Sequence, residues 1–273
     1  MRIFSLIVAL AGVCVPSFGA DTLSYTLANS TVAGSPGGVG ECVLLAVLAL
    51  GGLLWTRRSR MAACGALALA LLVASTTPTF AQDGWVTLFD GTDSSNWKIG
   101  GNQASFQIVD HSLQANGPVA HAYYDGPFHN HDFKNFELMV DVKTAPGSNG
   151  GIYFHTVFQD AGFPKKGFEV QVNNTHGDVV KTGSLYHVKD ILADDIKGIT
   201  QDNEWFTEHI IVQDNTVTIK LNGKEVVKWT QPADWNGGRE GPGRVISHGT
   251  IALQGHDPKS TVQYKNIRIK VLP

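Results

Sequence analysis

Residues 82–273 contain no cysteine; Cys14, Cys42 and Cys64 all lie in the first 81 residues of this 273-residue chain. That absence removes disulfides and thiol catalysis from the larger part of the protein. Basic residues are also scarce there. The first 81 residues hold four arginines, one aspartate and one glutamate, so the chain totals of 21 basic and 24 acidic fall to 17 and 22, a net charge of −5. No basic cluster interrupts this balance, which argues against a nucleic-acid partner. Internal repeats and low-complexity segments are missing too. All ten histidines lie beyond residue 81. With 43% hydrophobic residues, the composition is that of a globular protein with one sizeable core.

The first 81 residues read as targeting sequence. Residues 1–20 carry one arginine, an apolar run and a small-residue end, as a secretory signal does. The apolar segment 43–56 runs into Arg57, Arg58 and Arg60, a basic stop suited to membrane attachment. Residues 61–81 form a second signal-like segment, with Thr79 and Ala81 at −3 and −1 of a cleavage site before Gln82. Either Met61 is the true start, or TRRSRMA (56–62) is a loose twin-arginine signal. Both readings export a domain that begins near Gln82, to the periplasm or the exterior, with membrane attachment through the apolar segments as an option.

Ten strand signals follow: 85–89, 105–109, 135–143, 150–156, 167–173, 205–213, 216–221, 224–229, 249–254 and 261–271. Turn material such as DG, GSNGG and NGGREGPG separates them, and LNGKE (221–225) is a strong hairpin signal. Only 189–198 suggests a short helix. The pattern predicts an all-β fold, a two-sheet antiparallel β-sandwich over 82–273.

Three strands carry an unusual polar face. Along KGFEVQVNNTHGD (166–178), Phe168, Val170 and Val172 alternate with Glu169, Gln171 and Asn173. In GGIYFHT (150–156), Ile152 and Phe154 alternate with Tyr153 and His155; in TIALQGH (250–256), Ile251 and Leu253 alternate with Ala252, Gln254 and His256. Paired in one sheet, these faces make a patch of Tyr, His, Glu, Gln and Asn. Such a patch offers the paired donors and acceptors and the aromatic rings that sugars require. Taken singly, each residue has a plainer reading. Glu169 alone is an exposed strand glutamate, and His155 alone is a hydrogen-bonded structural histidine. His129 and His131 in FHNHDF have metal-like spacing, but a lone His-x-His in a loop is weak evidence for a metal.

GSNGGIYFHT, KGFEVQVNNTHGD, KTGSLYHV, NEWF, LNGKEVV, ALQGHDP and YKNIRIK, in this order, resemble the 3-keto-disaccharide hydrolase family. The resemblance runs from about Trp85 to Leu272 and implies a concanavalin A-like sandwich. It departs at 147–151, where Gly150 stands in place of a serine. The implied activity is cleavage of 3-keto glycosides: a base removes the acidic C2 proton and the C1 aglycone leaves, with the outcome either elimination or, where water adds afterwards, net hydrolysis. Such a site needs one base, a stabiliser for the enolate and an acid for the leaving oxygen. Glu169 or His155 is the candidate base. His256, Lys181 or a divalent metal ion is the candidate stabiliser, with no metal ligands assigned. Asn149, Tyr153, Gln171, Asn173, Lys181, Tyr186 and Gln254 are candidate substrate contacts. The partner implied is a carbohydrate. Two rival readings are a non-catalytic carbohydrate-binding module and a membrane-held structural or adhesion domain.

Overall fold

The computed structural model describes residues 84–273 throughout and, before them, three short strands. The chain divides into two compact units, Met1–Thr76 and Thr77–Pro273. In the first, β1 (Arg2–Val8) pairs antiparallel with β2 (Cys14–Ser17) and parallel with β3 (Asp21–Tyr25). The signal-like segment 1–20 is described only where these strands run, and segments 43–56 and 61–81 lie outside the described residues. Among the described residues, no helix is long and apolar enough to cross a membrane.

The second unit is an antiparallel two-sheet sandwich. The large sheet contains β4 (Val86–Phe89), β6 (Phe106–Val109), β7 (Ser112–Ala115), β9 (Phe136–Thr144), β12 (Phe206–Gln213), β13 (Thr216–Leu221), β14 (Lys224–Thr230) and β16 (Val262–Val271). Its order is β14-β13-β12-β9-β16-β7-β6, with β4 also paired to β16. The small sheet runs β11-β10-β15-β8-β5, from β11 (Phe168–Val172), β10 (Gly150–Thr156), β15 (Thr250–Gly255), β8 (Ala120–Tyr124) and β5 (Trp97–Gly101). Their facing sides meet in one core that includes Ile152, Phe154, Phe168, Val170 and Leu253 from the small sheet and Leu138, Val140, Ile210, Ile219 and Ile269 from the large one.

All ten expected strands are present. Within this unit three more, β5, β7 and β8, were not expected. β8 reads AHAYY and is buried at every position, and its alternation of His121 and Tyr123 with two alanines is too short to stand out. The helix expected over 189–198 shrinks to one turn, α1 (Ala193–Ile196). The LNGKE hairpin is present: Asn222 and Gly223 both take positive φ, at 50° and 83°, between paired Leu221 and Lys224. These signs suit the right-handed twist of the flanking strands.

The two sheets differ on their outer sides. Strands β9 and β12 alternate buried and half-buried residues, as a solvated face does. Strands β8, β10, β11 and β15 are buried at every position. Loops cover the outer side of the small sheet. At one end, Gly100 lets the 157–166 loop approach closely: a Cβ there would sit 2.0 Å from the Gln159 carbonyl oxygen. At the other end, residues 183–186 continue the sheet beyond β11. Gly183 N–H donates to Gln171 O, Gln171 N–H to Ser184 O, and Tyr186 N–H to Glu169 O.

Candidate active site beneath the loops

Strand register sets two rows of side chains across the covered face. Glu169 lies opposite Tyr153, Tyr153 opposite Ala252, and Ala252 opposite Tyr123. The second row holds Gln171 opposite Gly151, then Gln254 opposite His121. Glycine at 151 makes room for the carboxylate, because a Cβ there would fall 2.5 Å from Glu169 Oε1.

Glu169 is held from two sides. Tyr153 Oη donates to its Oε2 at 2.5 Å, and Gln254 Nε2 donates to its Oε1 at 2.9 Å and to Tyr153 Oη at 3.1 Å. Arg244 lies over the Tyr153 ring, its Cζ 5.6 Å from the centroid, with Nη1 donating to Gly167 O at 2.9 Å. Burial pushes the Glu169 carboxyl up to about 7; the Tyr153 hydrogen bond and the Arg244 charge restrain the rise. The carboxyl therefore exchanges its proton near neutral pH, the range a general base requires. Burial, then the adjacent Glu169 charge, holds Tyr153 well above the usual phenol range, so it stays a donor.

Next to this pair stands His121, edge-on to Tyr153 with centroids 5.4 Å apart. It is fully buried, and neither ring nitrogen has a hydrogen-bond partner. Burial, with a smaller contribution from the charge of His256, pulls its pKa down to about 3, so the ring is neutral. Asn149 Oδ1, Gln171 Oε1 and Gln254 Oε1 are likewise buried without partners. Buried polar atoms are nearly always paired in folded proteins, so a cluster of unpaired ones marks a place for a polar ligand.

His256 follows β15 on the same side as Gln254. Its Nδ1 lies 2.8 Å from Asp257 Oδ2, which also accepts from Ser260 Oγ at 2.8 Å. Although burial opposes the shift, the bonds from His256 and Ser260 hold Asp257 down at about 2. With an ionised Asp257 on Nδ1, the tautomer leaves Nε2 for exchange with a ligand.

The sequence-predicted residues divide. Glu169, Tyr153, Gln171 and Gln254 share the covered face, with His256 and Asn149 at its margin. Asn149 Nδ2 lies 3.4 Å from His176 Nδ1, and the His176 and His256 rings are 5.8 Å apart. Tyr186 borders the site, its hydroxyl donating to Asp178 Oδ2 at 3.3 Å; burial and the Asp178 and Glu169 charges push it up to about 12.

His155 does not join them. A register shift between Tyr153 and Thr156, with φ of 55° at His155, breaks the alternation that would set it beside Tyr153. Its ring packs on Phe136 and Phe154, Nε2 meets Lys134 O at 2.8 Å, and Nδ1 accepts from Ser247 N–H at 3.2 Å. Burial pulls its pKa down to about 4.

Asn173 and Lys181 also depart from expectation. Asn173 Nδ2 donates to the carbonyls of Asp178 and Val180, and the Lys181 ammonium donates to the carbonyls of His176 and Asp178 at 2.7 and 2.6 Å. Both groups organise the 174–182 loop from inside and have little left for a substrate. Gly150 faces the core: a Cβ there would meet Tyr264 Oη at 2.7 Å, so the missing serine hydroxyl falls outside the site.

His129 and His131 lie in an exposed turn, with His131 Nε2 3.7 Å from Asp125. Among the described residues, no group of three or more His, Cys, Asp or Glu side chains has metal-holding geometry. A groove of about 350 Å³, lined by Thr87, Asp90, Met139, Asp141 and Arg268, belongs to the outer side of the large sheet and shares no residue with this site.

Sequence reasoning missed His121, Arg244, Asp257 and Phe163. His121 sits on β8, whose five residues are too few and too apolar for their alternation to stand out. Arg244 ends NGGREGPGR, which reads as irregular loop. Asp257 had an available signal, since it directly follows His256.

Three comparisons bear on this arrangement. A 3-keto-disaccharide hydrolase from Bacteroides thetaiotaomicron is 25% identical over 233 residues, spanning 70% of this chain and 79% of that protein. Two structures of candidate glycosyl hydrolases from Parabacteroides distasonis share the fold. One has a TM-score of 0.59 at 24% identity, covering 70% of this chain and 95% of the other. The second has a TM-score of 0.54 at 22% identity, covering 69% and 99%. Residues 84–270 match the family model of the 3-keto-alpha-glucoside-1,2-lyase-like domain, and the chain belongs to that family.

Proposed function

We propose that residues 84–273 form a carbohydrate-active enzyme that cleaves 3-keto glycosides by removing the C2 proton. The observation that carries this is Glu169: a buried carboxyl poised near pH 7, beside unpaired buried donors and acceptors. The Bacteroides relative's name, 3-keto-disaccharide hydrolase, supports the same substrate class.

In this reading, Glu169 takes the C2 proton, which the C3 ketone has made acidic. The electron pair moves onto the C3 oxygen as an enolate, for which the Arg244 guanidinium and the neutral His121 ring are the nearby donors. It then returns to form the C1–C2 double bond as the C1–O bond to the aglycone breaks. His256, entering the step as the imidazolium on Asp257, delivers its Nε2 proton to the departing oxygen. Water then adds at C1 and gives its proton to His256, while Glu169 returns its proton to C2; both residues are restored and the result is net hydrolysis. One carboxylate suffices, unlike the paired carboxylates of ordinary glycoside hydrolysis.

A binding module displays flat aromatics along an open groove. Here the polar face is covered and its ionisable groups are perturbed, which favours chemistry. The N-terminal segments suggest export, and N-terminal sequencing of the mature protein decides that point.

The test is aglycone release from a chromogenic 3-keto-glucoside by the full chain, with and without EDTA, beside Glu169→Gln. Release by the wild type and loss in the variant are expected. Undiminished release by the variant removes Glu169 as the base. Saccharide binding without release hands the site to the binding-module reading.

A further inference from the structure

The 157–166 loop covers the site with one side chain that looks out of place. Phe163 is 44% exposed, although its ring stands 5.7 Å from that of His121 and 5.6 Å from that of His256. An aromatic so exposed forgoes much of the burial that usually stabilises it. The loop nevertheless holds it in place. Gln159 Oε1 accepts from Lys165 N–H at 2.7 Å, and its Nε2 donates to Phe163 O at 3.1 Å. Gly101 N–H donates to Asp160 O at 2.7 Å, tying the loop to β5. The His176 ring also lies close to His256, with centroids 5.8 Å apart. Two rings therefore lie beside the imidazole proposed to serve the leaving oxygen.

We infer that Phe163 and His176 form the aglycone subsite, and that it takes a flat ring: a second pyranose or an aromatic group in preference to a short alkyl chain. The inference rests on the reading of His256 as the acid. The departing oxygen must come within reach of His256, so the group attached to it must pass beside Phe163. A ring there stacks on the exposed phenyl face, and an alkyl group leaves most of that face wet.

The test compares methyl and phenyl 3-keto-glucosides on the full chain, wild type against Phe163→Ala and Phe163→Tyr. Phe163 is half exposed on a loop, so its truncation leaves the core intact. For Phe163→Ala, kcat/KM on the phenyl substrate is expected to fall about tenfold, as for loss of one stacking contact. The methyl substrate is expected to lose several-fold less than the phenyl one, and Phe163→Tyr to restore the phenyl rate. Equal losses on both substrates overturn the inference.

Calorimetric binding of an unoxidised glucose disaccharide and of free glucose separates this result from the proposed reaction. If neither substrate is turned over by the wild type, the proposed reaction fails. A disaccharide-specific loss of affinity in Phe163→Ala still supports the ring subsite. Equal affinity in both proteins overturns it.

Discussion

Tyr153→Phe removes a single hydroxyl, the one that donates to Glu169 Oε2 at 2.5 Å. The phenyl ring keeps its place beside His121 and under Arg244, so packing changes little. The charge balance changes more. Burial raises the Glu169 pKa, and the Tyr153 bond is the largest restraint on that rise. A hydrogen bond to a charged group contributes roughly 1.5–3 kcal/mol, equivalent to about one to two pKa units. The Glu169 pKa should therefore climb from about 7 by that amount. The base works ionised, so the acid limb of kcat/KM should move to higher pH by the same interval. At pH 7 about half of the wild-type carboxyl is ionised, against roughly one-tenth to one-hundredth in the variant, a rate loss of about five- to fiftyfold. Well above the new pKa the variant should regain most of the wild-type rate. The assay is a pH profile of aglycone release from pH 5 to 10. An acid limb that stays in place refutes the coupling. A loss that no pH restores shows that Tyr153 acts on the substrate directly.

Two further substitutions probe the frame of the site. Gly151→Ala sets a methyl 2.5 Å from Glu169 Oε1 and must displace the carboxylate; kcat/KM should fall about a hundredfold, the scale of a 1 Å misplacement, while the melting temperature moves little. An active Gly151→Ala protein would mean that the carboxylate position is immaterial. His155→Ala strands the Lys134 carbonyl and the Ser247 N–H and empties a ring's volume between Phe136 and Phe154. It should lose about 3 kcal/mol in denaturant unfolding while its folded fraction keeps kcat within about twofold. A stable but inactive His155→Ala protein would return His155 to the chemistry.

How much of this was legible in the sequence depends on which side of each strand meets water. In β9 and β12 one side is solvated, so period two stands out. In β8 loops cover the outer side, and His121 and Tyr123 alternate with only two alanines over five residues, too short and too apolar a pattern to stand out. The strand that holds His121 was therefore invisible, and His121 with it. Glu169, Gln171 and Gln254 were legible because a polar residue at every second position of an apolar strand needs a reason. His155 followed the same rule and misled, because period-two reasoning assumes an unbroken ladder. The register shift after Tyr153 turns the imidazole toward the core, and nothing in GGIYFHT announces it. Lys181 and Asn173 misled differently. Residue type says which bonds a side chain can make, but only the path of the 174–182 chain shows that its own carbonyls take them.

The segment 183–186 lengthens the small sheet beyond β11. It has a second effect. β11 ends the strand order, and a terminal strand with bare amides is a template on which other chains can add. Here the backbone of the loop that brings Tyr186 to the site margin occupies those amides and carbonyls. In the proposed reading, protection of this sheet edge and contact with the substrate thus share one stretch of chain. Redesigning this loop for a new sugar also alters the shield over the edge of the Glu169 strand, so a variant library there should be sorted for aggregation as well as activity.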